Sequence, residues 1–304
     1  MSRNCIACRA LERKGNNGNC PKPGQDDLPV QCVGSWCENK YFYLDRYLKG
    51  SKEARRKFYD KGNAVYIDLF AGNGKGIIRE SNKEIEAGSL RIFRQEVPFN
   101  EYHFFDISNE NTNALKQRIK RHENAHVRTG DSNLLIHGLV ERLKKSPYDR
   151  YHFAYLDPFA ASGLKFETVK RLAQFPRMDL LINFPIGFIK RNFEKWTKTE
   201  GQTILDDFLG TSSWRERRQQ GERVFSILVE VFKEQLLSIG FPEEGLGGLT
   251  DDNTYRNLSL VGVTNSKNVP MYFLVLASKH RLAAKIWNSL VAGPTPGGQT
   301  QMRF

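Results

Sequence analysis

The chain has 304 residues, of which 26% are charged and 39% hydrophobic, a composition typical of a soluble globular protein with one or two domains. Its 46 basic and 34 acidic residues give a net charge of +12, which favours a polyanionic partner such as nucleic acid, although solubility alone also explains it. No stretch approaches the roughly 18 consecutive apolar residues of a membrane span. The composition excludes a disordered or fibrous protein and predicts a cytoplasmic protein without membrane contact.

All five cysteines lie in the first 37 residues. An odd number at one end of an apparently cytosolic chain argues against a disulfide framework. Cys5 and Cys8 form a C-x-x-C pair, and two further thiolates would complete a tetrahedral zinc site in a segment too poor in apolar residues to fold alone. We expect structural zinc on Cys5, Cys8, Cys20 and either Cys32 or Cys37. Metal-free thiols and an iron–sulfur cluster are the alternatives.

The first elements in chain order are a Cys-rich segment and a basic helix. Residues 1–35 are rich in Gly, Asn, Pro and Cys without apolar periodicity, which predicts a loop or a metal-stapled knuckle. We therefore divide the chain into a Cys-rich segment at 1–37 and a main domain at 38–304. From Trp36, apolar residues recur at helical spacing with Lys and Arg between them, which predicts a basic amphipathic helix broken near Gly50.

Seven apolar runs rich in β-branched and aromatic residues predict buried strands. Helical patterns lie between most of them, so we predict an α/β, Rossmann-like, doubly wound, mostly parallel seven-stranded sheet whose last two strands form an antiparallel hairpin. A run at about 186–252 breaks this rhythm and predicts a helical insertion over the carboxyl edge of the sheet. The predicted strands are AVYIDLFAG (64–72), YHFFDI (102–107), AHVRTGD (125–131), YHFAYLD (151–157), MDLLINF (178–184), LSLVGV (258–263) and MYFLVLA (271–277).

The stretch DLFAGNGKG (68–76) follows the first strand of the domain directly. Glycines allow sharp turns and close approach to a ligand, and open α/β sheets bind ligands at the carboxyl ends of their strands. The spacing is G-x-G-x-G rather than the dinucleotide pattern G-x-G-x-x-G, so a purely structural turn is the alternative. Three later strands also end near an acidic residue, at Asp106, Asp131 and Asp157. Repeated acidic strand ends predict a ligand site more strongly than one glycine loop does.

Asp68 followed by F-A-G-x-G resembles the first motif of class I S-adenosylmethionine methyltransferases. The resemblance implies that S-adenosylmethionine is the cofactor, with Asp106 on the ribose hydroxyls and the segment at Asp131 near the adenine. Methylation of cytosine carbon 5 uses a similar motif but needs a nucleophilic cysteine after the fourth strand, and no cysteine follows Cys37. The cofactor-binding residues implied are Asp68, Phe70, Gly72, Asn73, Gly74, Asp106, Asp131 and Ser132.

The residues Asp157, Pro158 and Phe159 resemble the D/N-P-P-Y/F loop of amino-group methyltransferases that act on adenine or guanine. The resemblance implies a catalytic loop in which Asp157 accepts a hydrogen bond from the acceptor amine and Phe159 stacks on the base, chemistry suited to a flipped or unpaired base. The second proline of that loop is missing, and Phe159 stands in its place. A strand-ending turn with Phe159 in the core is the alternative.

Seven ordered blocks resemble the three-Cys-motif partner (TcmP) family and cover most of the chain from about residue 26 to 215. The family implies a methyltransferase-like Rossmann fold and a partner protein with a radical-S-adenosylmethionine-like three-cysteine motif; the name-giving cysteines belong to that partner. Cys32 lies in the first block, which makes it our preferred fourth zinc ligand. The blocks are DDLPVQCVGSW, KYFYLDRYL, VYIDLFAG, YLDPF, RMDLLINFP, IKRN and FLGTSSW.

Substrate contacts are expected from basic and amide side chains near the carboxyl edge of the predicted sheet. Lys190 and Arg191 could hold a phosphate, Asn183 and Asn192 lie beside them in sequence, and Lys40 is a further candidate; solvated helix surfaces are the alternative. Residues 40–61 contain eight basic and three acidic side chains interleaved with aromatics, which predicts a nucleic-acid surface with rings free to stack on unpaired bases. The sequence thus predicts a methyltransferase-like protein acting on nucleic acid or a nucleotide-like acceptor. A noncatalytic accessory subunit binding nucleic acid or the partner protein is the alternative.

Overall fold

The main sheet contains most of the strands that the sequence predicts. A computed structural model describes residues 18–146, 149–247, 261–264 and 270–292. Residues 258–260 of one predicted strand lie outside the described residues. The strands are β1 (Gln31–Val33), β2 (Ala64–Asp68), β3 (Lys75–Ile78), β4 (Glu84–Glu86), β5 (Glu101–Asp106), β6 (Ala125–Thr129), β7 (Tyr151–Leu156), β8 (Met178–Phe184), β9 (Leu246–Gly247), β10 (Val261–Thr264) and β11 (Pro270–Ser278).

Helices connect these strands and fill the expected insertion. No helix in the described ranges is both long and apolar enough to cross a membrane. The helices are α1 (Trp36–Gly50), α2 (Lys52–Tyr59), α3 (Gly88–Arg91), α4 (Asn109–Arg118), α5 (Ser132–Lys144), α6 (Phe166–Leu172), α7 (Ile186–Thr197), α8 (Ile204–Leu209), α9 (Trp214–Gln219), α10 (Val224–Ser238) and α11 (Arg281–Ala292).

The main sheet has the strand order β10-β11-β8-β7-β2-β5-β6, and the short β9 pairs with β11 off this path. Strands β6, β5, β2, β7 and β8 are mutually parallel, whereas β11 runs antiparallel to β8 and β10 antiparallel to β11. The predicted α/β fold with a mostly parallel sheet is confirmed. The seven predicted strands form the path, and β9 is an eighth that the sequence did not indicate.

The central strands are buried on both faces because helices cover both. Every residue of β2, β7 and β8 is buried, as expected for parallel strands in such a layered fold. Successive side chains point to opposite faces. Val65 and Ile67 therefore join one hydrophobic cluster with α5, α6, α7 and α10, and Tyr66 joins the other with α1 and α11. The two layers fix the sheet between them.

Helix α1 confirms the predicted helix, and the break falls at Ser51, immediately before α2. Its aromatic face is turned inward: Tyr41, Tyr43 and Tyr47 are all buried. The prediction that the aromatics of this helix are free to stack on bases is wrong for these three, because their rings pack under the helix rather than on its outer face. Arg55 of α2 is also buried, so part of the predicted basic surface belongs to the interior.

A second, three-stranded sheet joins the Cys-rich segment to the chain after the glycine loop. Strand β1 pairs in parallel with β3, and β3 pairs antiparallel with β4. The expectation that residues 1–35 contribute no core element is wrong for Gln31–Val33 and for Val30, which is fully buried. The partner strand β3 lies more than forty residues further along the chain, so no local pattern could reveal the pairing.

The range 186–252 of the predicted insertion contains α7, α8, α9 and α10. It also contains β9, for which the sequence carried no strand pattern; two residues suffice there because β11 offers them a hydrogen-bonding edge. Residues 248–252 lie outside the described residues.

Candidate functional site

Four acidic residues converge at one edge of the main sheet. The adjacent parallel strands β7, β2, β5 and β6 all present their carboxyl ends there. Asp157, Asp68, Asp106 and Asp131 lie at or just beyond these ends, in that spatial order. The sequence predicted acidic strand ends, and the strand order makes them neighbours. This edge is where open α/β sheets bind ligands.

The glycine loop after β2 adopts a backbone that only glycine takes readily. Gly72 and Gly74 have φ angles of 60° and 94°. The backbone N–H of Gly72 donates a 3.0 Å hydrogen bond to Asp106, whose other carboxylate oxygen accepts from the Ser108 N–H and from Asn111. A side chain at Gly72 would also collide with Gln31 of β1. The backbone of the loop is thus fixed beside the half-buried carboxylate of Asp106.

Asn73 of the same loop is buried and holds the loop in place. Its amide nitrogen donates to Asn19 at 3.1 Å, and its oxygen accepts from the Lys75 N–H at 3.0 Å. Asn19 in turn donates to Asn111. These contacts connect the Cys-rich segment to the loop and leave Asn73 a positioning role at the expected cofactor site.

Asp68 is fully buried at the end of β2. It accepts a 3.0 Å hydrogen bond from the Phe70 N–H and a longer one from the Tyr66 hydroxyl, while the Phe70 ring packs against the core. The pKa of Asp68 is raised to about 8, mainly by burial and also by the charges of Asp157 and Asp106, while the hydrogen bond from the Phe70 N–H opposes this shift. The carboxyl group is therefore mostly protonated at neutral pH, and a bound cation beside it would lower its pKa.

Asp131 caps helix α5 and stands beside two exposed apolar side chains. Its carboxylate accepts from the backbone and side-chain nitrogens of Asn133, both at 2.9 Å, and Ser132 begins the helix in a buried position. Ile107 and Leu134 are 78% and 71% exposed. They follow the adjacent strands β5 and β6, where exposed apolar groups suit the face of a planar ring. Sequence reasoning missed both, although each lies within three residues of a strand-ending carboxylate.

Asp157 is held by two residues that the sequence proposed separately as substrate contacts. Lys40 forms an ion pair with one carboxylate oxygen at 2.5 Å, and Asn183 donates to the other at 2.8 Å. Burial lowers the pKa of Lys40, but attraction to Asp157 overrides this and raises it well above its usual value. Only 11% of each charged side chain is exposed. Lys40 is thus engaged with Asp157 rather than exposed as a phosphate contact.

Hydrogen-bonding capacity remains unused around this ion pair. Within the described part of the chain, the Asn183 side-chain oxygen and the Tyr155 hydroxyl are buried without a hydrogen-bond partner. Buried polar atoms normally find partners, so these two could serve an amine or hydroxyl ligand. Pro158 is buried, whereas Phe159 is fully exposed. The alternative that places Phe159 in the core is therefore wrong, and its ring is available for stacking.

The block at the start of α7 is less closely tied to Asp157. Lys190 and Arg191 are exposed and form no ion pair among the residues described. The Asn192 amide donates to the Phe188 carbonyl of its own helix. Of the expected substrate residues, the structure brings only Lys40 and Asn183 into contact with Asp157.

The cysteines separate into two places. Cys20 and Cys32 pack in one small apolar cluster with Val30 and Ile77, whereas Cys37 packs against Tyr41 at the start of α1. Cys5 and Cys8 lie outside the described residues. Within the described residues, no group of three or more His, Cys, Asp or Glu side chains could hold a metal ion.

No protein-family model matches the sequence, and no curated protein matches it. The chain is similar in structure to the DszA carbon methyltransferase (14% identity, TM-score 0.39, 74% of this chain and 50% of that one), so it spans half of that structure. It is also similar to a Legionella pneumophila protein of the DUF519 family (9% identity, TM-score 0.46, 84% of this chain and 90% of that one). A third similar structure is the plantazolicin methyltransferase BpumL in complex with SAH (13% identity, TM-score 0.37, 91% of this chain and 93% of that one). These likenesses are too distant to assign a reaction or a substrate.

The raised pKa of Asp68 predicts a pH-dependent stability. Between about pH 4 and pH 8 the folded protein retains a proton that the unfolded chain, with an Asp pKa of 3.8, has released. The free energy of unfolding of the wild type should therefore fall with rising pH relative to Asp68→Asn, as measured by urea unfolding across this range. Asp60→Asn, at an exposed position after α2, is the control and should follow the wild type. Parallel curves for the wild type and Asp68→Asn would contradict the prediction.

Proposed function

We propose that the protein transfers a methyl group from S-adenosylmethionine to an amine or hydroxyl acceptor bound at Asp157 and Phe159. One observation carries the proposal: four neighbouring parallel strands bring Asp157, Asp68, Asp106 and Asp131 to one edge, beside a glycine loop. The mostly parallel sheet, with the antiparallel pair β10 and β11 at one side, agrees with the methyltransferase-like sheet that the resemblance of the sequence implies. Fold alone does not fix chemistry, so the residues at the edge carry the argument.

The cofactor half of the site is assigned to the segments after β2, β5 and β6. The Gly72–Gly74 turn leaves backbone close to the ligand, Asp106 is oriented to accept from ribose hydroxyls, and Ile107 and Leu134 offer apolar surface to the adenine. S-adenosylmethionine would supply an electrophilic methyl group on a sulfonium centre. The nearby carboxyl of Asp68 would favour a positive charge by releasing its proton.

The acceptor half of the site is rich in hydrogen-bond acceptors. Asp157 has two oxygens oriented by Lys40 and Asn183, and the Asn183 oxygen lacks a partner in the described chain. Such a set suits a ligand that donates N–H or O–H, and Phe159 suits a flat ring. Lys40 fixes the Asp157 carboxylate so that it orients the acceptor and takes the proton lost on methylation. Most of the rate enhancement would come from this positioning.

An unpaired base of a nucleic acid fits this acceptor description and the net charge of +12. A nucleotide-like small molecule would use the same contacts. A noncatalytic accessory role, with binding to nucleic acid or to a radical-S-adenosylmethionine-like partner protein, is the second candidate; the ion pair of Asp157 with Lys40 favours it because the carboxylate is already occupied.

Cofactor binding is tested by calorimetry with S-adenosylmethionine. We expect saturable heat for the wild type and binding weaker by about tenfold to a hundredfold for Asp106→Ala, since a hydrogen bond to a charged group contributes about 1.5–3 kcal/mol. Asp60→Ala, which removes an exposed carboxylate elsewhere, should bind as the wild type does. Absence of heat with folded wild-type protein, or equal binding by Asp106→Ala, would refute the cofactor assignment.

Methyl transfer is tested with tritiated cofactor and pools of RNA, DNA and protein. Asp157→Asn should lower transfer by about a hundredfold or more, because it removes the proton acceptor. Phe159→Ala should weaken acceptor binding by about tenfold, because stacking contributes about 1–3 kcal/mol per base, whereas Phe159→Tyr retains the ring and the activity. Since Asp157→Asn leaves buried Lys40 without its counter-charge, the Phe159 pair tests the site without disturbing folding. No incorporation unless a partner protein is added would support the accessory role.

We further propose a structural zinc ion held by Cys5, Cys8, Cys20 and Cys32. The proximity of Cys20 to Cys32 in one small cluster supports it, and thiolates are the usual ligands of structural zinc. Elemental analysis of untagged protein should find one zinc ion per chain, lost in Cys20→Ser and retained in Cys37→Ser. Folded wild-type protein free of zinc would refute the proposal.

A further inference from the structure

A cavity of about 340 Å³ lies between the second half of α1, the start of α2 and the chain around and after α3. Its lining is strongly basic and includes only two carboxylates, Asp45 and Glu96. A cavity with this composition attracts an anion. The cationic side chains that line it are Lys49, Lys52, Arg55, Arg91 and Arg94.

Carboxylates balance only part of these positive charges, even though Arg94 pairs with Glu86 outside the lining. Arg91 donates to Asp45 at 2.9 Å, and Lys52 pairs with Glu96 at 2.7 Å. Lys49 is exposed and forms no ion pair within the described residues. Both of the carboxylates that line the cavity are therefore engaged by other cations, and Lys49 is left to meet a ligand.

Arg55 adds a buried positive charge that forms no ion pair with any carboxylate in the described part of the chain. Its side chain is only 1% exposed, and its guanidinium donates to the Val97 and Leu48 carbonyls, each at 3.0 Å, and to the Ser51 hydroxyl at 3.3 Å. All three acceptors are neutral. A buried charge without a counter-charge is costly, so an anion nearby would be stabilised by Arg55 and would stabilise it in turn.

The cavity and the acceptor site lie along the same helix, α1. Arg91, which lines the cavity, is 5.8 Å from the centroid of the Tyr41 ring, and Lys40, the partner of Asp157, is 5.1 Å from the same centroid. At about 1.5 Å of rise per residue, Lys49 lies about 14 Å along the helix from Lys40. A ligand that spans both places must be longer than a single small anion.

We propose that this cavity binds the phosphate backbone of a single-stranded nucleic acid whose methylated base lies at Asp157 and Phe159. The inference rests on the proposed function and names its substrate class. Arginine offers a planar fork for phosphate, and lysine a point charge. An unpaired strand is required because a base that stacks on Phe159 must be free of its neighbours. Since the tyrosines of α1 are buried, contact along this helix is with phosphates and is independent of sequence.

The test measures fluorescence anisotropy of a labelled single-stranded oligonucleotide, as RNA and as DNA of the same sequence, over a series of salt concentrations and without cofactor. Lys49→Glu should weaken binding by about tenfold or more and reduce the salt slope by about one, the signature of a lost phosphate contact. Lys120→Glu makes the same charge change at an exposed position after α4, outside the cavity and outside residues 40–61, and should leave affinity and slope close to wild type. Inorganic pyrophosphate should compete with the strand for the wild type.

Binding of either strand with this difference between the two variants supports the proposal. Equal loss in Lys49→Glu and Lys120→Glu would overturn it, because the effect would then reflect net charge alone. Failure of the wild type to bind either strand would also overturn it. Strand binding is measured without S-adenosylmethionine, so a failed cofactor titration with intact strand binding refutes the proposed reaction and leaves the cavity assignment standing. Saturable cofactor binding without strand binding would refute the cavity assignment alone.

Discussion

The parallel direction of β7, β2, β5 and β6 is the constraint on which the candidate site depends. Parallel strands that are neighbours in a sheet present their carboxyl ends together, and each of these four has an acidic residue at its end or within two residues after it. The chain order of the strands differs from their spatial order, with β7 beside β2 although about eighty residues separate them. The site therefore exists only when the whole sheet has formed.

Four acidic groups at one edge repel each other if all are charged, and different contacts reduce this repulsion at each group. Asp68 is buried and retains its proton, and Asp157 is paired with Lys40. Asp106 accepts hydrogen bonds from the N–H groups of Gly72 in the glycine loop and of Ser108, and Asp131 accepts one from the N–H of Asn133 in the helix that it caps. Such unequal environments give chemically similar groups distinct roles. The protonated Asp68 is suited to respond to a cation, whereas Asp157, fixed by its ion pair with Lys40, is suited to orient a hydrogen-bond donor.

Helix α1 connects the acceptor site with the basic cavity. Its first turns bring Lys40 to Asp157, its buried tyrosines anchor it on the sheet, and its second half lines the cavity with Asp45 and Lys49. Because one rigid helix carries all three features, the distance between the acceptor site and the cavity is fixed. The amphipathic pattern that predicted this helix also explains why its aromatic residues pack inward and its lysines divide between interior and surface.

The sequence by itself determined the main strands, most helices and the residues that end the strands, because apolar runs, helical periodicity and glycine turns are local signals. It did not reveal β1 or β9, whose few residues become strands only because a distant strand offers a hydrogen-bonding edge. It also proposed Lys40, Asn183 and Asp157 for separate tasks, and only the tertiary structure joined them in one buried network. Pairing of charges and exposure of Phe159, Ile107 and Leu134 depend on which surfaces the fold covers. Which charges pair and which side chains stay exposed is decided by packing between segments far apart in the sequence, so no local sequence pattern could have predicted it.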